Sequence, residues 1–163
     1  MELEYNYALI LNLNGSFSVR NSIPEIELPE GFDRIEKIHL TLIGGQALKQ
    51  FEEELKPQAD GTWPIELLFL PFHELLELAD DVSIAEREDY PVDEGNPELG
   101  VETRKTLFLP ILNQEKVREM VNGICEVLGI TNPEPDRFFH VSLANIHGGN
   151  PWKSVGDICE SDV

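Results

Sequence analysis

The sequence predicts an α+β fold built mainly from antiparallel strands. Three observations carry that reading. Several short segments alternate apolar and polar residues, which is the strand period. Two segments instead repeat apolar residues at three-to-four spacing, which is the helix period. Their order is strand, strand, helix, several strands, helix, strand, and strand-strand-helix units favour antiparallel pairing.

Taken in order, Leu3 to Asn14 alternates loosely and reads as one strand. Residues 21–34, NSIPEIELPEGFDR, hold two prolines and a glycine and read as a loop. Ile38 to Ile43 is a strand, broken by Gly44 and Gly45. Residues 46–56 place Leu48, Phe51 and Leu55 on one helical stripe. DGTW (60–63) is a turn and IELLFL (65–70) a strand. FHELLELA (72–79) fits either a short helix or a bent continuation of that strand. DDVSIAERE (80–88) is a strand, YPVDEGNPELG (90–100) a flexible acidic loop, and KTLFLPIL (105–112) a strand. The clearest helix starts at the cap residue Asn113, runs to about Leu128 and stops at Gly129. Its apolar face is Val117, Met120, Val121, Ile124, Val127 and Leu128. RFFHVSLAN (137–145) is the last strand, and a tail with turn residues and a short apolar run follows.

Composition limits what such a domain can do. The chain has 163 residues, 41% of them hydrophobic, enough for one domain or two small lobes. Its longest apolar run, Leu67 to Phe72, contains Pro71 and falls far short of the roughly 20 residues a bilayer helix needs. MELEYNY lacks the basic region of a signal peptide, so a cytoplasmic location is expected. Cys125 and Cys159 form no CxxC pair and are expected as free thiols, Cys125 in the core. Net charge is −19, from 31 acidic and 12 basic residues. Long nucleic acid binds through many phosphate neutralisations, so such a polymer is not favoured as a partner. A small anionic ligand is still compatible, held by hydrogen bonds and a few local cations. The acidity also keeps the chain soluble.

Two stretches carry chemistry. His39-Leu40-Thr41-Leu42 and His140-Val141-Ser142-Leu143 share one pattern and lie 101 positions apart. Residues i and i+2 of a strand face the same way. Histidine and hydroxyl therefore share a face in each, roughly 7 Å apart, with the leucines and valine behind. Two such strands supply two imidazoles and two hydroxyls. A neutral imidazole can remove a proton from a nucleophile while a protonated one gives a proton to a leaving oxygen. The hydroxyls can hold phosphoryl oxygens as charge develops. A cleft between two lobes would bring the motifs together.

On these residues the chain resembles the two-histidine (LigT-like, 2′-5′ RNA ligase-like) phosphoesterase superfamily, whose signature is two separated histidine-apolar-Ser/Thr-apolar motifs. The resemblance implies residues 1–163 as one bilobal domain. It implies two mainly antiparallel sheets with flanking helices around a central cleft, and no metal or other cofactor. It carries over His39, Thr41, His140 and Ser142 as catalytic and phosphate-holding residues. FFHVSLAN with the GNPWKSVGDI tail looks most like the phage branch that degrades the cyclic oligonucleotides of anti-phage (CBASS) signalling. Membership there would place the chain in the host cytoplasm, acting on a small nucleotide. The segment Ala85 to Gly100 has no counterpart to which a role can be assigned.

Other residues carry weaker signals, each with an ordinary structural explanation beside it. Tyr7, sharing a strand face with Tyr5, could stack on a base or simply pack at the rim. Trp152 could cover a ligand as a lid or anchor the tail, and Lys153 could add local positive charge. His73 and His147 read as ordinary surface or loop histidines. No HExxH or tight ligand cluster favours zinc, and neither Gly-Gly pair has the Walker lysine. The expected activity is metal-independent cleavage of a cyclic di- or oligonucleotide. The alternatives are a 2′,3′-cyclic phosphate or RNA-end processing enzyme, and a non-catalytic nucleotide-binding module.

Overall fold

The computed structural model describes residues 2–13, 26–56, 63–64, 67, 76–93 and 95–163. The strands are β1 (Glu2–Tyr5), β2 (Leu9–Asn12), β3 (Asp33–Arg34), β4 (His39–Ile43), β5 (Ser83–Pro91), β6 (Val101–Pro110) and β7 (His140–Asn145). They join one mostly antiparallel sheet in the order β1-β2-β4-β7-β6-β5, with β3 paired to β7. Helices α1 (Gly45–Leu48), α2 (Glu52–Leu55) and α3 (Gln114–Leu128) complete an α+β fold, with a 3-10 turn at Lys49–Phe51 between α1 and α2.

Alternation explains which face is buried. Leu9, Leu11, Leu40, Leu42, Val141 and Leu143 point into one core, with Leu48 of α1 and Leu55 of α2. Val117, Met120, Val121, Ile124 and Cys125 of α3 join them. Each such side chain, fully buried, contributes about 1.5–3 kcal/mol. Cys125 lies in the core as expected, whereas Val127 turns outward and is exposed. Asn113 occupies the cap position of α3, but its side chain accepts from the Glu77 amide at 3.0 Å instead of capping the helix. Gly129 closes α3 with a left-handed φ of 71°.

Several expectations change. The segment Leu3 to Asn14 is two strands, turned back on each other at Asn6–Ala8. Tyr7 takes a φ of 57° in that turn, so it does not lie on a strand. The expected loop at 21–34 contributes β3, which borders β7. Residues 83–110 form a longer hairpin than their composition suggests. The acidic loop shrinks to the connection between Pro91 and Val101, with a 3-10 turn at Pro97–Leu99. Cross-strand charge is one reason: Glu86 pairs in register with Lys105, and their side chains meet at 3.6 Å. Arg104, buried from β6, bonds the Pro91 and Val92 carbonyls at 3.1 Å each and lies over the Tyr90 ring. Residues 65, 66 and 68–75 of the IELLFL and FHELLELA segments, including His73, lie outside the described residues, as does most of DGTW.

The tail is ordered on the second face of the sheet. Val155 and Ile158 bury against Ala85, Tyr90 and Phe108. Among the described residues, no helix is long and apolar enough to cross a membrane.

Candidate functional site

The two motifs occupy adjacent strands. Antiparallel β4 and β7 pair at Leu40 and Val141. That register sets His39 opposite Ser142 and Thr41 opposite His140, on the face away from the leucine core. Neighbouring strands lie about 5 Å apart, so this register places each histidine position one strand spacing from the other motif's hydroxyl position. The flanking strands extend two rows across the sheet. Asn12 pairs with His39 and Ile10 with Thr41, while Phe108 pairs with Ser142 and Pro110 with His140.

The two histidines differ in surroundings. His39 is half-buried, and its Nδ1 lies 3.0 Å from the Lys37 carbonyl. A carbonyl only accepts, so Nδ1 carries the hydrogen and Nε2 is left for other partners. His140 is 9% exposed, and the Phe108 ring meets it edge-on at a centroid distance of 5.6 Å. Its Nδ1 is buried without a well-formed hydrogen bond. Burial first, then the Arg137 charge, push its pKa down to about 4; the Phe138 backbone opposes them, and His39 and Asp162 add weaker effects of opposite sign. His140 is thus neutral at pH 7. Thr41 and Ser142 are both half-buried.

Sequence reasoning missed three contributors. Arg137, three residues before His140, donates from Nε to the Thr41 carbonyl at 3.3 Å and from Nη1 to both Glu134 oxygens. Its sole signal in the sequence was a basic residue in an acidic chain. Asn12 gave none, because its neighbour His39 lies on another strand. The third is the tail. Asn145, fully buried, accepts from the His147 and Gly149 amides and donates to the Asn150 carbonyl and Ser154 Oγ. These bonds turn the chain back. Asp162 then reaches Arg87 and lies close enough to His140 to act on its charge.

The weaker candidates lie elsewhere. The Tyr7 ring is 6.0 Å from that of Tyr5, which packs in the leucine core, while Tyr7 itself is exposed. Trp152 is exposed in a 3-10 turn beyond Asn145, the end of β7 remote from His140. Lys153 is engaged by Glu102 and the Val92 carbonyl. His147 Nε2 bonds the Thr103 carbonyl at 2.9 Å. An open hollow of about 360 Å³ at the β5 edge is lined by Arg87, Glu88, Asp89, Tyr90, Pro91 and Asp157 and includes no motif residue. Its three carboxylates make it a poor seat for an anion. Among the described residues, no three His, Cys, Asp or Glu side chains gather as a metal site.

Comparison of the chain with protein-family models, curated proteins and solved structures returned no match.

Proposed function

We propose that the chain is a phosphodiesterase acting by paired-histidine acid–base catalysis on small nucleotides, with cyclic di- or oligonucleotides as its substrate class. One observation carries the reading: the Leu40–Val141 register, which brings both histidines and both hydroxyls to one face of adjacent strands. In this reading the halves of the sheet flanking that narrow seam are the two lobes of a bilobal fold, and the motif face between them is the cleft. The net charge of −19 supports a small ligand over a polymer.

The residues divide the work as follows. Neutral His140 takes the proton from a ribose 2′-OH or a water. That oxygen attacks phosphorus in line, and the bond to the departing ribose oxygen breaks. His39, in its protonated imidazolium form with Nδ1–H held by the Lys37 carbonyl, delivers its second proton from Nε2 to the leaving oxygen. Thr41 and Ser142 hydroxyls donate to the non-bridging oxygens.

The test is incubation with 3′,3′-cyclic GMP–AMP, cyclic trinucleotides, 2′-5′ oligoadenylate and 2′,3′-cyclic mononucleotides, each with EDTA, and products read by mass spectrometry. Cleavage of a cyclic di- or trinucleotide, undiminished by EDTA, is the expected result. Turnover confined to 2′,3′-cyclic mononucleotides would move the substrate class to RNA ends. Tight binding without any product would replace the enzyme with a binding module, and a metal requirement would sink the scheme.

A further inference from the structure

We infer that Glu134 and Arg137 form a clasp that sets the position of His140 against Thr41, making Arg137 a positioning residue for the reaction proposed above, on which this inference rests. The seam between the motif strands is narrow, since β4 and β7 pair in register only at Leu40 and Val141. The loop before β7 adds two further ties across it. Glu134 Oε1 accepts from the Gly44 amide, just past the end of β4. Arg137 Nε donates to the Thr41 carbonyl at 3.3 Å, inside the first motif. The two side chains also bind each other, Arg137 Nη1 to Glu134 Oε1 and Oε2 at 3.2 and 3.0 Å. Helix α3 steadies the loop from behind, through Arg118 Nη2 donating to the Arg137 carbonyl at 3.1 Å.

The clasp is enclosed, with side-chain exposures of 12% for Arg137 and 27% for Glu134. A planar guanidinium can bond the carbonyl and the carboxylate together, which an ammonium on a flexible stem cannot reproduce. Gly44 completes the fit. Its backbone is extended, at φ −69° and ψ 155°, and would accept any residue. A Cβ there would nevertheless stand 3.1 Å from Glu134 Oε1 and 3.2 Å from Arg137 Nη1. A side chain at this position would therefore have to displace the clasp by a few tenths of an ångström, while the backbone itself would not object.

Arg137 also acts on His140 through its charge. Among the described residues, the charged or titratable groups that act on that imidazole are Arg137 from the preceding loop, His39 from β4 and Asp162 from the tail. Among them Arg137 is the strongest charge opposing protonation of His140, so its removal lets the imidazole protonate at higher pH.

The experiment combines kinetics on whichever panel substrate is cleaved with NMR titration of the His140 imidazole, in Arg137→Gln, Arg137→Lys, Glu134→Gln and Gly44→Ala. Arg137→Gln should lower kcat about 10- to 100-fold with KM changed less than about 3-fold. It should also raise the titration midpoint of His140 and move the acid limb of the pH–rate profile with it. Arg137→Lys should restore the titration but not kcat, and Gly44→Ala should lower kcat with every charge kept. Unchanged kcat and titration in Arg137→Gln, or full kcat in Arg137→Lys, would overturn the clasp. A wild-type chain that cleaves nothing overturns the phosphodiesterase reading alone. The imidazole titration then decides the clasp: an unmoved His140 in both Arg137→Gln and Glu134→Gln removes it.

Discussion

Arg87 on β5 grips Asp162 near the end of the tail with two parallel hydrogen bonds, Nη1 to Oδ1 at 3.0 Å and Nη2 to Oδ2 at 2.9 Å. The pair ties the turn at Glu160–Asp162 to strand β5. The Asp162 side chain is 13% exposed, so water screens it little. Arg87→Ala should cost about 2 kcal/mol, the scale of a charged hydrogen-bonded pair. In a chain of this size that lowers Tm by roughly 4–8 °C. Hydrogen exchange should accelerate at Val155 to Asp162 while the α3 amides keep their protection. Equal loss of protection throughout would refute the tether.

The same pair has a pH signature. The Arg87 hydrogen bonds hold the Asp162 carboxyl down at about 2, against burial, from its ordinary 3.8. A carboxyl with a depressed folded-state pKa binds fewer protons when folded. Its stabilisation is therefore complete above about pH 4 and is lost as pH falls through 2. Asp162→Asn should have lower stability at pH 7 and a flatter decline between pH 4 and 2, read from urea midpoints.

His140 acts in a higher window. Its folded-state pKa of about 4 lies below the ordinary 6.5, so the unfolded chain takes up the proton first. Stability is unaffected above pH 6.5 and falls as pH drops from 6.5 towards 4. It levels below that, after a loss on the order of 3 kcal/mol. His140→Gln should flatten the stability profile between pH 6.5 and 4.5. An unchanged slope there would show that the imidazole is not held neutral by its surroundings.

For turnover, His39→Ala should reduce kcat at least 100-fold and shift Tm by less than about 3 °C, because His39 is half-buried and lies at the start of its strand. His140→Asn should reduce kcat comparably. Thr41→Val and Ser142→Ala should each cost about 10- to 100-fold if the hydroxyls hold the phosphoryl oxygens. The measurement is product formation by mass spectrometry beside a thermal melt of each variant. Full turnover in either histidine variant would end the acid–base assignment.

What could be read from the residues alone follows the range of the forces involved. Helix α3 was legible because its period, cap residue and terminal glycine lie within one short segment. The motif strands were legible for the same reason, since alternation is local. That His39 would face Ser142 was not, because the Leu40–Val141 register is a contact between residues about a hundred positions apart. Arg104 is enclosed by the Pro91 and Val92 carbonyls and the Tyr90 ring, partners that only the folded hairpin brings to it. The turn at Tyr7 had no glycine or proline to announce it. Arg137 and Asp162 acquire meaning only through partners that the fold delivers.

Gly149 tests how closely the second motif strand is held. It follows Asn145, at the end of β7, where β3 pairs alongside. Its φ is 75°, a region L-residues seldom adopt, and a Cβ there would stand 2.1 Å from the Arg34 carbonyl oxygen. That obstacle is backbone and cannot rotate away. Gly149→Ala must therefore push β3 from β7 and strain the turn that Asn145 organises, for a loss of about 3 kcal/mol or more. Gly148 has a φ of 68° and open space around the missing Cβ. Gly148→Ala meets backbone strain alone and should lose only about 1–2 kcal/mol. Chemical denaturation of the two variants, side by side, measures the difference. Equal losses would mean that contact with Arg34 does not constrain this end of β7.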